Sequence, residues 1–371
     1  MLVPKQPGLG FFSKHASDAG PGHPHDAGPV RRGAIEAIGL GGAMLLNAEY
    51  MSKWGRYTDF NVLRSLHLRT EGIEASVLDY LFNISKTDRL GSLRCLSLWT
   101  GDYLVDDQVD VDSSLARLLR SLRPLDSLEL TGIFGEDTFD SVLCSHGESL
   151  GKLRLVPTRV PSPVVRPFVL SRGRVEALVR ACPGITELKL LVPRRKGDEE
   201  EARTYRALSG LRRLDRLSLR LDCSGVQESE DGVRQNADGP YWQVRDMHDG
   251  AINVTVDADL VTVIFNAICA HRLPQLIRLY PAEIKNPLGD HLIDNLYFPA
   301  ACLSRVWIGV RDPRAGWERE FKPVELRARY WEGAEERVES TPGAFSFLLD
   351  IWPDSGGDIR KMPSFPLWDG D

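Results

Sequence analysis

The chain has 371 residues, a formal net charge of −6 and a pI near 5.8. A protein that binds duplex nucleic acid carries a basic surface, so this balance argues against that class. Six cysteines (Cys95, Cys144, Cys182, Cys223, Cys269 and Cys302) stand singly, with no Cys-x-x-Cys pair, which excludes a thiolate zinc ribbon and a dense disulfide framework and fits a reducing compartment.

Residues 1–33 are rich in Gly, Pro, His and Asp, a composition that buries too little apolar area to offset ordering entropy, so a disordered segment is expected. There is no basic-then-apolar leader pattern. The apolar run Ala34 to Leu46 carries Glu36 and is shorter than the roughly 20 residues a bilayer needs. The expectation is a soluble protein of the cytoplasm or nucleus, with no membrane contact. Residues 34–62 read as an N-terminal capping segment, with one glycine-weakened helix over 34–50 and an aromatic stretch from Trp54 to Phe60.

From residue 63 an apolar triplet recurs at i, i+3 and i+5. It reads Leu63-Leu66-Leu68, Leu93-Leu96-Leu98, Leu125-Leu128-Leu130, Leu150-Leu153-Leu155, Ile185-Leu188-Leu190 and Leu214-Leu217-Leu219. Leu276 and Leu279 follow with Pro281 in the third place, and Leu303-Val306-Ile308 closes the series. A spacing of roughly 30 residues marks stacked supersecondary units. Between the triplets lie helical patterns at Ile73–Lys86, Ser113–Leu122 (Asp112 or Ser113 as its cap), Arg174–Cys182, Glu199–Leu208 and Ala258–His271. Strand and helix alternating at these lengths imply a parallel sheet. Residues 222 to about 250 interrupt the pattern and read as an insertion. The repeat region spans 63–311, and residues 312–371 read as a C-terminal capping arm with an edge strand near 321–332 and the anchors Phe345–Trp352 and Met362–Trp368.

About eight strand–helix units also describe a (β/α)8-barrel enzyme, the alternative reading. The residues between the leucines decide against it. Ser65, His67 and Arg69, then Glu129, Lys152 and Arg154, then Glu187, Lys189, Arg216 and Arg220 would all lie inside a closed barrel. Burying an unpaired charge costs several kcal/mol. An open sheet with one wet face removes that cost.

The chemistry-bearing motifs are weak. His23-Pro24-His25-Asp26 lies in a proline-broken stretch without preorganised metal geometry. Gly39-Leu40-Gly41-Gly42 has Met44 where a dinucleotide loop needs its third glycine. In Cys144-Ser145-His146 a buried cysteine and a helix-end histidine are expected. Asp102, Asp106, Asp107, Asp110 and Asp112 lack the glycine and final glutamate of a calcium loop. Arg194-Arg195-Lys196 and Asp198 to Glu201 read as a charged loop leading into a helix start. No catalytic set, metal or cofactor is expected. The wet strand face is the candidate site: His67, Arg69, Trp99, Glu129, Arg154, Lys189, Arg216, Arg220, Tyr280 and Trp307, a set rich in the aromatic and Arg types that dominate binding hot spots.

Leu-x-x-Leu-x-Leu at this period, with Cys182-Pro183 ahead of Ile185-x-x-Leu188-x-Leu190, resembles the leucine-rich-repeat family of the ribonuclease-inhibitor-like type. More narrowly, with Trp54–Arg64, Leu273-Pro274-Gln275-Leu276, Ile351-Trp352-Pro353 and Ser364-Phe365-Pro366-Leu367, it resembles fungal F-box/leucine-rich-repeat proteins. The resemblance implies an α/β solenoid of about eight irregular units, an open horseshoe with the parallel sheet on its concave face and helices on its convex face. It also implies a non-catalytic scaffold binding a protein partner on the concave side, and substrate recognition for a ubiquitin ligase. The sequence shows no F-box of the Leu-Pro-x-Glu-Ile kind, so a Skp1-type linker protein is not an expected partner.

Overall fold

The leucine triplets fold as one continuous dry seam. In the computed structural model the described residues are 33–101, 111–157, 168–223, 244–269, 276–281, 305–310, 323–326, 350–355, 363–364 and 366–367. The first residue of each triplet precedes its strand: Leu63, Leu93, Leu125, Leu150, Ile185 and Leu214 are all at most 3% exposed. The other two lie within strands β2 (Ser65–Ile73), β3 (Cys95–Trp99), β4 (Ser127–Gly132), β5 (Lys152–Pro157), β6 (Glu187–Pro193) and β7 (Arg216–Asp222). They stand in register, Leu66 beside Leu96, Leu128, Leu153, Leu188 and Leu217, and Leu68 beside Leu98, Leu130, Leu155, Leu190 and Leu219.

A second repeat is written in the backbone. The carbonyl just before each strand accepts two successive amides of the following unit. Glu36 O takes Arg64 N and Ser65 N at 2.7 and 2.9 Å, Arg64 O takes Arg94 N and Cys95 N at 2.8 and 2.9 Å, and Arg94 O takes Asp126 N and Ser127 N at 2.9 and 3.1 Å. The same doubling occurs at Asp126, Gly151 and Thr186.

Ten strands lie in chain order in one sheet. Strands β1 to β8 run parallel; β9 (Val306–Val310) and β10 (Pro323–Leu326) are added antiparallel. The sheet ends at β1 and β10 without closing, so the barrel is not formed. Helices α2 (Ala75–Lys86), α3 (Val111–Ser121), α4 (Glu136–His146), α5 (Arg172–Ala181) and α6 (Glu199–Leu208) alternate with the strands. Their apolar stripes, such as Val77, Leu78 and Leu81 of α2, join the leucine seam in a single core. Two helices, α7 (Val244–Val254) and α8 (Ala258–Ile268), separate β7 from β8 (Leu276–Pro281), which pair directly. Among the described residues no helix is long and apolar enough to cross a membrane.

The expected helix over 34–50 is instead strand β1 (Ala37–Leu46), followed by α1 (Ala48–Tyr57). Three glycines weaken helix over that run, while Ile38 and Leu40 alternate into the seam beside Leu66 and Leu68. Gly42, at φ +117°, stands where the β1–β2 register slips, a conformation L side chains rarely adopt. In β8 the seam residues are Ile277 and Leu279, aligned with Leu217 and Leu219, so the triplet sits two places earlier than a start at Leu276 would put it. Asp112 does not cap its own helix. Its carboxylate accepts from Gly135 N at 2.7 Å and from Asp137 N and Thr138 N at 3.2 Å, capping α4 of the next unit.

The charged loop at 194–201 is buried at its heart. Arg194 and Glu201 have no exposed side-chain surface and are joined at 2.7 and 2.8 Å; Glu201 also accepts from Arg195 N at 2.6 Å, Gly197 N at 2.9 Å and the Tyr205 hydroxyl at 2.9 Å. The loop's solvated appearance in sequence misleads because one carboxylate gathers Arg194 Nη1, the Arg195 and Gly197 amides and the Tyr205 hydroxyl. Gly197, at φ +83°, lies against Pro366 O, where a Cβ would come within 2.2 Å, so the C-terminal arm rests on this turn. The arm is pinned again where Ser364 N donates to Asp257 Oδ2 at 2.9 Å and Trp352 Nε1 to Pro363 O at 3.0 Å.

Leu188→Ala empties a seam position and is expected to cost about 2–5 kcal/mol in urea unfolding. Lys189→Ala, one residue on, should change stability by less than about 0.5 kcal/mol, and equal losses would contradict the facing described. Glu201→Ala strands the buried Arg194 charge and should cost about 3–5 kcal/mol by the same measurement.

Candidate functional site

The face of the sheet turned away from the helices carries the alternate strand residues. The register places His67, Ser97, Glu129, Arg154, Lys189, Ser218 and Arg278 in one cross-strand row. In a second row Trp99 pairs with Thr131 and Thr131 with Val156, and further on Leu191 pairs with Arg220 and Arg220 with Tyr280; Arg69 stands at its head by strand alternation. The charged positions of both rows are accessible, whereas Ser97, Val156 and Leu191 are buried. Arg69 and Arg216 are exposed, and His67, Trp99, Glu129, Arg154, Lys189 and Arg220 are half-buried. The Arg154 side chain keeps 34% of its surface, which no sealed barrel interior would allow.

Glu129 organises the N-terminal half. Its two oxygens take the guanidinium groups of Arg69, from β2 across β3, and of Arg154, its direct partner on β5, and Arg69 Nε also donates to Ser97 Oγ at 3.0 Å. Trp99 stands in the adjoining row. Its indole Nε1 and the Nδ1 of His67 are shielded from solvent and have no hydrogen-bond partner among the described residues. Beside His67 and Arg69 the face is bare backbone, because Gly39 and Gly41 of β1 are their register partners. The faint dinucleotide motif is therefore mid-strand, not a strand-to-helix loop.

The C-terminal half is basic. Arg154 and Lys189 are direct cross-strand partners, and Arg220 and Arg278 lie close enough to act on them electrostatically. Burial, then Arg154, Arg220 and Arg278, hold the Lys189 ammonium below its ordinary range. Burial also lowers Arg154, against the opposing pull of Glu129. Among the described residues no carboxylate reaches ion-pair distance of Arg216, Arg220 or Arg278, while Lys152 meets Glu187 at 3.5 Å. Among the described side chains of β2 to β8 the alternate positions hold seven bases (Arg69, Lys152, Arg154, Lys189, Arg216, Arg220, Arg278) against three carboxylates (Glu129, Glu187 and the buried Asp222). The sign is opposite to that of the chain as a whole.

Eight of the ten expected site residues lie on this face: His67, Arg69, Trp99, Glu129, Arg154, Lys189, Arg216 and Arg220. The Tyr280 backbone pairs with Arg220, but its side chain lies outside the described residues. Trp307 is a correction. It is 5% exposed, packs in the core and donates Nε1 to Val256 O at 2.9 Å. Strand β9 reverses direction, and its register sets Trp307 beside Leu279 and Gly309 beside Ile277, so Val306 and Ile308 take the opposite face. Arg278 is the residue that sequence reasoning missed, although the alternation selecting Tyr280 selects it too.

The other motifs do not assemble. Cys144 is exposed, against expectation, while His146 is the last residue of α4 as expected and is buried, its ring contacting Leu119 O through Nε2 at 3.1 Å. Burial pushes the Cys182 thiol up to about 11, which leaves it a poor nucleophile. The cysteines described are free thiols, and no cluster of metal-ligating side chains is found among the described residues. His23 to Asp26 and Asp102 to Asp110 lie outside the described residues. On the helix side, a groove lined by Arg172, Glu176, Arg180, Arg203 and Arg206 has its charges paired locally, Arg172 with Glu176 at 2.7 Å and Arg203 with Glu199. No known family and no curated protein matches the sequence.

Burial holds the His146 imidazole below its ordinary value. The unfolded chain therefore takes up this proton more readily, and the contribution is present above about pH 6.5 and lost as pH falls towards the folded value. Urea midpoints measured from pH 7.5 to 5.5 should fall with acid, and His146→Gln should flatten that slope.

Proposed function

We propose that the chain is a leucine-rich-repeat solenoid of the ribonuclease-inhibitor-like type that serves as a non-catalytic docking scaffold and takes a protein partner on the open face of its sheet. The repeat reading is supported by the in-register leucine ladders and by the six-fold recurrence of a carbonyl accepting two amides of the next unit. Units that contact only their neighbours build long continuous surfaces of this kind.

The docking reading rests on one observation: a wet sheet face of Arg, Lys and Trp, laid out in register over seven strands, next to a core that has no use for them. Arg and Trp are the types that contribute most to binding when desolvated. Trp99 fits that role, since its shielded indole N–H is a donor with no acceptor among the described residues. Free thiols on the strands and helices suit a reducing interior, in keeping with action inside the cell.

Affinity capture from a native extract tests the reading. Trp99→Ala with Arg154→Ala should lose partners that wild type retains. Arg120→Ala with Arg180→Ala, on exposed helix positions, should retain them. Partners held equally by all three proteins would remove the open face as the docking surface.

A further inference from the structure

The C-terminal half of the open face places like charges where a sheet gains nothing from them. Arg154 and Lys189 face one another on β5 and β6, an arrangement that destabilises a strand pair. Arg278 follows in the same row across Ser218, and Arg220 stands in the next row. Among the described residues Glu129 acts on Arg154 and Lys189 from the far edge of this group, and it is shared with Arg69. The core does not require the arrangement, because serine occupies the Arg154–Lys189 row in β3 (Ser97) and β7 (Ser218), and threonine the Arg220 row in β4 (Thr131).

We infer that the open face is built for an acidic protein segment, extended across the strands, whose carboxylates meet Arg154, Lys189, Arg220 and Arg278. This rests on the docking reading and supplies the chemistry of the partner. The distance from β5 to β8 is three strand spacings, about 14 Å, which four to five residues of extended chain cover. The half-desolvated Lys189 and Arg154 give such carboxylates a stronger hold than fully hydrated bases would. The bare strip at Gly39 and Gly41, with the donor of Trp99 nearby, leaves room for the segment to continue towards β1.

The test uses the full chain and a fluorescent peptide of about twelve alternating Glu and Ser residues, long enough to cross the sheet. Its Gln/Ser counterpart and an oligonucleotide of equal charge serve as competitors. Anisotropy should show binding that weakens as salt rises from about 0.05 to 0.3 M. Lys189→Glu with Arg220→Glu should weaken it by about tenfold or more, and Lys189→Gln with Arg220→Gln by a smaller factor should the reversal not fold. Arg120→Glu with Arg180→Glu should leave it unchanged. Absence of binding, equal loss in both charge-reversal variants, or equal affinity for the Gln/Ser peptide overturns the inference. So does tighter binding of the oligonucleotide, or sedimentation showing that the face is covered by a second copy of the chain. If the acidic peptide fails while captured partners still depend on Lys189 and Arg220, the acidic occupant falls and the docking surface stands; if capture ignores the face altogether, both fall.

Discussion

A residue position repeated in register is the constraint on which this molecule depends. Each unit must set its strand so that two leucines meet the two leucines before them, and the carbonyl at the strand start fixes that register by taking two amides of the next unit. The hydrogen bonds position, and the apolar contacts supply the driving force, each buried leucine contributing roughly 1.5–3 kcal/mol. Since strand side chains alternate, fixing the dry rows also fixes the wet ones. Whatever occupies the alternate positions is stacked strand upon strand with no freedom to avoid its neighbour.

That linkage explains how a chain of net charge −6 comes to carry a basic face. Seven bases and three carboxylates distributed over an irregular surface would be unremarkable. Held in register over β2 to β8, Arg154 and Lys189 remain direct strand partners although Arg154 turns its guanidinium to Glu129 on the other side, and Glu129 pairs with Arg69 and Arg154 but not with the bases beyond them. The electrostatics of the site follow directly from the packing of the core, although the two faces share no contacts.

The parts legible in sequence were those governed by this repeat. Triplets at 63, 93, 125, 150, 185 and 214 locate β2 to β7, and the alternate residues of those strands lie on the wet face as the pattern requires. The illegible parts obey other rules. Strand β1 has glycines where the repeat has side chains, so only its pairing with β2 reveals it. Helix α4 shows a weaker apolar stripe, and its cap comes from Asp112, residues away in the preceding unit. Arg194 and Glu201 look solvated in sequence because burial of an ion pair depends on what lies over it, here a segment from the far end of the chain. Trp307 faces inward because β9 runs backwards, and the triplet spacing carries no information about strand direction.

That reversal has a physical reason of its own. A parallel stack ends with an apolar seam that has no following unit, and such ends must be covered. At the first end β1 supplies Ile38 and Leu40 to the ladder and little else on its open face. At the last end, continuing in parallel would require another helix and another seam to cover in turn. An antiparallel pair stops the sequence: β9 lays Trp307 across Leu279 with its indole nitrogen tied to Val256 O, and β10 pairs along it as a short edge. The arm then returns to Asp257, whose two oxygens are divided between the N-terminus of α8 and Ser364, and continues to the turn above Arg194. Burial alone would raise the Asp257 carboxyl, but the amides of Leu260 and Ser364 outweigh it and hold it low, so the clasp is made by the ionised form. The end cap is thus electrostatic where the stack it closes is apolar, and Arg69, Arg216 and Arg278 of the basic face remain exposed.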